Sequence, residues 1–436
     1  MGYNLYIKQA WQLMRQERFF SSIYIISTGL AISMVMVLSI SFYLKLANLY
    51  PENNRDRTLS MKMAMVKNKN GGISSSAISL PFIQTCVADV PDIEAVAITY
   101  RENLIDYLQP VGTQEQIEIV MKPVSTGFWT VYPFRFLAGK PFSKADEESA
   151  IRAAVITEGI AKRLFGEVDK AIGQEIVIGF KSYRVRGVVQ GASALLSGTY
   201  AQVYIPFSLY KDKVRTYFDP TQTLGFFNAV LLVKDKSKVD EVKQQVIENA
   251  RRYGLAYPNY EITLLGQPDK HWQSVFRRLV NSEPNYTREI VRFALIYLIF
   301  LLIPAVSLSG MADSRMERRM EELGIRRSFG ASRGEIFRQV IGENLLFTFL
   351  GSLFGLLLSW VIFYFTRDWI TDFIMNEGAI DSLPNNIELE IPFSFLFNWG
   401  IMAITLGVCL VLNLFSALVP AWKYARRPIV ESLVIK

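Results

Sequence analysis

The chain holds one histidine, His271, and two cysteines, Cys86 and Cys409. A Ser/His/Asp hydrolase would have to be assembled around His271, and no G-x-S-x-G nucleophile elbow accompanies it. No second His or Cys stands near it to complete a metal site. The G-x-x-x-x-G-K-[ST] loop that cradles nucleotide phosphates with its backbone amides is also missing. Side chains suited to working on something else are concentrated in Asp313–Glu343, DSRMERRMEELGIRRSFGASRGEIFRQVIGE. Arg315, Arg318 and Arg319 alternate there with Glu317, Glu321 and Glu322, with Met316, Met320 and Leu323 as apolar contacts. The pattern predicts a short charged helix over 315–323, broken by Gly324 and Gly330. Ser332 and Glu335 then read as a capping box that starts a second helix through Ile336, Val340 and Ile341. The chemistry on offer is recognition by ion pairs and apolar contact: a short helix that another protein can grip, joined directly to a following helix that would move with it.

The elements that must position this segment lie on either side of it. Half of the 436 residues are hydrophobic and 20% are charged. Charge-free stretches run over Phe19–Leu44, Phe293–Ala312, Asn344–Thr366 and Ile391–Trp422. Each reaches the roughly 20 residues a helix needs to cross the hydrocarbon of a bilayer, which excludes a soluble globular protein. Four spans are expected, at 19–44, 293–312, 343–366 and 393–420. The first is too long for the apolar core of a cleavable signal peptide and is read as retained. With four spans, residues 1–18, 313–340 and 423–436 share one side and hold 14 Lys/Arg among 60 residues, whereas 367–390 holds one Arg against six Asp/Glu. The positive-inside rule puts both termini and the 313–342 loop in the cytoplasm. The net charge of +7 is then an attraction for anionic lipid at the inner leaflet, and no nucleic-acid partner is expected.

The segment 45–292 is left outside. Its pattern is α+β: strands at Thr58–Val66, Ile93–Tyr100 and Ile117–Val124, a serine-started helix at Ser79–Ala88, then a β-rich middle part with Ala153–Thr157, Gln174–Ile178, Tyr183–Val189 and Ala201–Ile205, and a short helix Glu158–Phe165 closed by Gly166. Strand, helix and strand at Ala229–Val233, Val239–Ala250 and Glu261–Leu265 suit a return to the first unit. The expectation is a split domain, 45–124 with 226–285, carrying 125–225 as an insertion. Lone Cys86 outside and Cys409 inside a span exclude a disulfide framework. Residues 3–18 have helical amphipathic spacing, with Tyr3, Tyr6, Ile7, Ala10, Trp11 and Met14 on one face, and are expected to lie in the inner interface.

Gly29 with Ser33, and Gly351 with Gly355 and Ser359, give two spans a small-residue face that permits close helix contact in lipid. Pro304 is expected to kink the second span. No charged residue lies mid-span, which speaks against an ion or proton pathway.

These residues resemble the MacB/FtsX-like permeases of ABC transporters over nearly the whole chain. Glu321-Glu322-Leu323-Gly324-Ile325-Arg326-Arg327, Phe329-Gly330-Ala331-Ser332, Ile336 and Glu343 are similar to the family's E-x-G-I-R-x-x-x-G-A-S stretch. Val419-Pro420-Ala421-Trp422 and Pro428 resemble its terminal signals, and Phe128–Phe142 and Ala161–Gly173 resemble segments of its periplasmic core. Leu196-Ser197-Gly198 looks like a fragment of the ABC signature sequence, but without a phosphate loop it reads as a turn. The resemblance implies a split porter-like part and an inserted β-rich Sabre-like part above an inner membrane. It also implies a permease that binds no cofactor itself and is worked by ABC ATPase subunits, which hold ATP and Mg. These would dock on a coupling loop of Arg315, Arg318, Arg319, Glu321, Glu322, Gly324, Arg326, Arg327, Gly330 and Ser332. Only 18 residues precede the first span, so the ATPase is expected as a separate chain. A homodimer or a heterodimer with a sister permease is implied. Export of antimicrobial peptides or macrolides, through a periplasmic adaptor and outer-membrane channel, lipoprotein release and regulation of a cell-wall hydrolase all fit this family pattern.

Overall fold

A computed structural model describes residues 12, 14–16, 18–110, 116–210, 219–277, 282–318, 325, 328–330, 332–366 and 398–426. The described residues divide into two compact units, one within Leu44–Glu289 and the other formed by described residues before Leu44 and after Glu289.

In the first of these, alternation of apolar residues produces strands and their register decides the topology. Strand β1 (Thr58–Met61) is buried along its whole length because it is flanked on both sides, pairing Thr58 with Leu232 and Leu59 with Lys270. The chain continues through β2 (Ala64–Asn68), β3 (Ile73–Ile78), helix α1 (Leu80–Val87) and β4 (Ile93–Tyr100). Helix α1 begins where the Ser79 hydroxyl accepts the Phe82 amide at 3.2 Å, with proline in the first turn. The single alternating strand expected at Thr58–Val66 is thus two strands, because Lys62 and Met63 interrupt the ladder. The next strands are β5 (Leu104–Pro110), β6 (Ile117–Val124), β7 (Phe136–Gly139), β8 (Ala153–Thr157), β9 (Glu175–Ile178), β10 (Lys181–Val189) and β11 (Val203–Pro206). After them the chain returns through β12 (Leu224–Gly225) to β13 (Phe227–Val233), which lies antiparallel beside β4 from Phe227↔Tyr100 to Val233↔Ile93. Everything between β4 and β13 is therefore inserted between two neighbouring strands.

Helix α2 (Val239–Leu255) then buries Val239, Val242, Val246 and Ala250, one face at helical spacing. Each buried valine contributes roughly 1.5–3 kcal/mol, enough to fix the helix against β1, β3 and β13 in a core that includes Leu59, Ile78, Phe82 and Phe227. A second core gathers Leu108, Ile117, Ile119 and Met121 with Ile156, Ile176, Val185 and Val203. Strands β5 and β6 pack with this inserted part, and β6 also meets β4 at Thr99↔Val124. An aromatic core of Phe128, Tyr132, Phe134, Phe142 and Tyr204 lies against residues of both halves, Leu232 and Val155 among them. The last elements are β14 (Tyr260–Thr263), β15 (Asp269–Lys270) and the short helix α3 (His271–Phe276).

The other unit consists of long helices: α4 (Arg18–Leu46, first in the chain), α5 (Tyr286–Arg318), α6 (Arg333–Phe365) and α7 (Trp399–Arg426). Among the described residues Ser21–Leu46 and Phe337–Phe365 are long and apolar enough to cross a membrane, and Trp399–Val411 is a shorter apolar helix. Helix α5 runs without a break through Pro304 and extends past the expected span at both ends. The amphipathic segment 1–18 and the loop 367–392 lie largely or wholly outside the described residues.

Candidate functional site

Three arrangements bear on function. The first is the charged segment. Arg315 and Arg318 belong to the last turns of α5, so they prolong that helix, where a separate short helix was expected. The helical period simply continues past Ala312, since Asp313–Arg318 contains no breaker. Arg319, Glu321, Glu322, Gly324, Arg326 and Arg327 lie outside the described residues. Beyond them the Phe329 amide donates to the Ile325 carbonyl at 3.1 Å, and Gly330 takes φ +95°, a left-handed conformation that favours glycine. Ser332 then caps α6: its hydroxyl accepts the Glu335 amide at 3.2 Å and its own amide donates to Glu335 Oε2 at 2.9 Å. The Ser332 amide and hydroxyl hold the Glu335 carboxyl below its usual range. Ile325 and Phe329, one turn apart, are 49% and 88% exposed. Sequence reasoning placed the apolar contacts of this segment at Met316, Met320 and Leu323 and missed this pair, although its i, i+4 spacing was visible.

The second is a seam between α4 and α6. A Cβ on Gly355 would stand 2.6 Å from Gly29 O and 3.1 Å from Gly29 Cα, and one on Gly351 would stand 2.7 Å from Thr28 Cβ. A Cβ on Gly29 would overlap Phe354 and lie 3.1 Å from Gly351 O. The backbones touch, and only glycine permits it. Ser33 and Ser359 are buried, and each hydroxyl donates within its own helix, to Leu30 O and Leu356 O at 2.7 Å. Toward the start of α6, Tyr24 Oη donates to Asn344 Oδ1 at 2.7 Å, a polar contact between apolar helices.

The third is a buried ionic junction in the α+β domain, at the roots of α4 and α5. Arg55 Nη1 donates to the Leu44 and Ala47 carbonyls at 3.0 and 2.5 Å, which satisfies carbonyls at the end of α4 that have no helical partner. Its Nε donates to Glu52 Oε2 at 2.9 Å, and Thr199 Oγ1 donates to Glu52 Oε1 at 3.0 Å. Burial pushes the Glu52 carboxyl up, but the Arg55 guanidinium, with the His271 ring and the two hydrogen bonds, outweighs it and keeps the group ionised. His271 Nε2 donates to the Lys45 carbonyl at 2.8 Å. Burial first, then the Arg55 charge, lowers its pKa to about 4, so the ring is neutral at pH 7 and structural. Lys122, also buried, donates to Ser197 O and Gly198 O at 2.7 and 3.0 Å, which explains the turn read at Leu196-Ser197-Gly198. Burial brings its ammonium down to about 8. On the return side Arg277 forks onto Asp269 at 2.6 and 2.9 Å, each 3% exposed, and Tyr286 Oη, in the first turn of α5, donates to Asp269 Oδ1 at 2.6 Å.

Cys86 and Cys409 are both free and buried, and burial pushes the Cys86 thiol up to about 12. Among the described residues no group of three His, Cys, Asp or Glu could hold a metal ion.

An α+β domain and a set of long apolar helices, one of which starts at a capped turn after a charged segment, suit a membrane permease component. Comparison with known proteins agrees. A family model for the MacB-like periplasmic core domain matches residues 24–249, and one for the FtsX-like permease C-terminal region matches 294–429. A pyoverdine export ATP-binding/permease protein, PvdT, of Pseudomonas syringae pv. syringae is 25% identical over 239 residues, 54% of this chain and 34% of that protein. A macrolide export ATP-binding/permease protein, MacB, of Chromobacterium violaceum is 22% identical over 293 residues, 64% of this chain and 42% of that protein. The solved extracellular domain of a noncanonic ABC-type transporter, YknZ, from Gram-positive bacteria aligns at 15% identity with a TM-score of 0.32, over 46% of this chain and all of that one. The chain thus spans about a third to two fifths of the length of the curated relatives it matches. It belongs to the MacB/FtsX-like permease family of ABC transporters, with a periplasmic core domain and an FtsX-like C-terminal region.

Proposed function

We propose that this chain is the permease subunit of an ABC exporter that passes the motion of a separate ATPase to its periplasmic domain. It would cross the inner membrane four times, at 19–44, 293–312, 343–366 and 393–420, with both termini in the cytoplasm. Two copies, or one copy with a sister permease, would each present the 313–342 segment to an ATPase subunit. ATP and Mg would be bound there and not by this chain. Ile325 and Phe329 would supply the apolar centre of the docking surface, with Arg315, Arg318, Arg319, Glu321, Glu322, Arg326 and Arg327 as its charged neighbours in sequence. The substrates would be compounds taken from the periplasm or outer leaflet, such as antimicrobial peptides or macrolides, in keeping with the export functions named for the relatives. A periplasmic adaptor and outer-membrane channel would complete the route.

One observation supports this reading: the helix that starts at the Ser332 cap, directly after the charged segment, packs backbone to backbone on the first long helix through Gly351 and Gly355.

The test is the joint replacement of Glu321, Glu322, Arg326 and Arg327 by alanine in the reconstituted transporter. Transport per ATP hydrolysed should collapse while membrane insertion is retained. Transport at the unmodified rate would refute the lever.

A further inference from the structure

Strands β9 and β10 are joined by only two residues, Gly179 and Phe180, with Ile178 paired to Lys181. Both take left-handed φ, +53° and +63°, as the tightest hairpin turns require. Such turns favour Asn-Gly or Asp-Gly, and a bulky side chain at positive φ is an outlier. Phe180 is also 99% exposed, so no burial within the chain offsets that conformation. The turn is held in place by its neighbours. Leu108 of β5 pairs with Ile178, the Gly179 amide donates to the Tyr107 carbonyl at 3.4 Å, and a Cβ on Gly179 would stand 2.6 Å from Asp106 Oδ2. Ile105 and Tyr107, alternate residues of β5 and both exposed, add apolar surface on one face of that strand. The hairpin thus presents a fixed aromatic knob, and beside it exposed Lys181 has no side-chain partner among the described residues.

The same domain carries a groove of matching character. A cavity of about 810 Å³ lies between the end of α1 and one side of α2, with Ala88, Val90, Pro91 and Tyr253 as apolar wall. Asn249 Nδ2 is committed to the Cys86 and Ala88 carbonyls at 3.1 and 3.0 Å, and Tyr253 Oη donates to the Thr221 carbonyl at 2.6 Å. Glu248 accepts from Arg251 and Arg252. Asp89 and Gln244 also line the groove, are exposed, and have no side-chain partner among the described residues.

An aromatic knob flanked by an unpaired cation complements an apolar groove flanked by an unpaired carboxylate. We infer that the Phe180 hairpin of one copy of this chain seats in the α1–α2 groove of a second copy, with Lys181 against Asp89. Each copy carries both parts, so under twofold symmetry the contact is made twice. Aromatic side chains in desolvated pockets supply much of the affinity of interfaces, and a turn already fixed in the free chain loses little freedom on docking. The Gln244 amide can both donate to and accept from the backbone of the seated turn. A second copy is one of the two arrangements proposed for the permease, and the contact rests on it.

The experiment is photo-crosslinking of the full chain in the membranes of cells that express it, with p-benzoylphenylalanine in place of Phe180 so that the aromatic knob is kept. Two differently tagged copies are expressed together, and the cross-linked sites are mapped by mass spectrometry. The label should join residues 85–91 or 244–253 of the other copy. The same label in place of Ile151, 43% exposed on the inserted part, should not. Lys181→Asp sets two carboxylates together and should lower the yield about tenfold. Lys181→Asp combined with Asp89→Lys should restore it, which a folding defect could not do. A cross-link to a different protein, to another part of the second copy, or none at all overturns the contact, as does a yield unmoved by Lys181→Asp. ATPase co-elution from the same membranes reports on the permease separately. A retained ATPase without this cross-link removes the contact alone, and the cross-link without an ATPase removes the permease reading alone.

Discussion

Replacing Gly355 by alanine tests the α4–α6 seam through the sign of the effect. In an exposed helix interior, glycine to alanine gains roughly 0.5–1 kcal/mol because alanine loses less backbone freedom on folding. At Gly355 the new Cβ would stand 2.6 Å from Gly29 O, where ordinary contact begins at 3.4 Å, so the two helices must separate by about 0.8 Å. The atoms in the way, Gly29 O and Gly29 Cα, are backbone and cannot rotate aside. Overpacking of this kind costs roughly 1–3 kcal/mol, which reverses the sign. Gly407 of α7 is the control, since nothing lies within 4 Å of its would-be Cβ. Thermal unfolding of the full chain in detergent should put Gly355→Ala below the unmodified protein by roughly 2–10 °C, with Gly407→Ala at or above it. The same loosening should lower transport per ATP hydrolysed. If Gly355→Ala is as stable as Gly407→Ala, the backbones are not in contact and the seam cannot act as a lever joint.

Asp269→Asn leaves the Arg277 guanidinium buried without its counter-charge and should destabilise the periplasmic domain by roughly 3–5 kcal/mol, read as a fall in its melting temperature. Arg277→Met made together with it should recover part of the loss. Phe329→Asp places a charge on an apolar side chain of the coupling segment that is 88% exposed and should weaken ATPase co-elution at least tenfold with unchanged helix content, because a docking contact at this position cannot bury a carboxylate cheaply. His271 has a folded pKa lowered from 6.5 to about 4, so between these values the unfolded chain binds a proton that the folded chain does not. Stability is full above pH 6.5 and falls as pH drops toward 4, by roughly 3 kcal/mol at most. His271→Gln keeps a donor for the Lys45 carbonyl and should melt with a shallower acid slope than the unmodified protein.

The strands at 93–100, 117–124 and 153–157 were legible because each is rich in β-branched residues. Strands β3 and β5 were not. Ile73–Ile78 is half serine, and Leu104–Pro110 exposes alternate residues, so each is held in the sheet by its neighbours more than by its own propensity. In the long helices the Gly351-x-x-x-Gly355 spacing marks a face but names no partner, and contact with Gly29 appears only in three dimensions. The ionic junction had no linear signature. Glu52, Arg55, Thr199 and His271 are brought together by the β1–β15 pairing and the 193–200 turn, and His271, weighed as a catalytic group, serves to hold a carbonyl.

The two root clusters are tied to a single strand. Arg55, which holds the end of α4, lies three residues before β1, and Asp269, which holds Arg277 and Tyr286 at the start of α5, is paired with Ser60 of that same strand. Strand β1 is buried along its length and also hydrogen-bonded to β13. Each cluster is held by charge-assisted hydrogen bonds in a site where breaking one partner costs several kcal/mol. A domain that merely tethered a binding surface to the membrane would lose nothing by having flexible roots. Stiff roots on both sides are of use when force has to arrive at the domain with its direction preserved. This is why the proposed export cycle should fail when either cluster is broken, even in variants that still fold and still bind the ATPase.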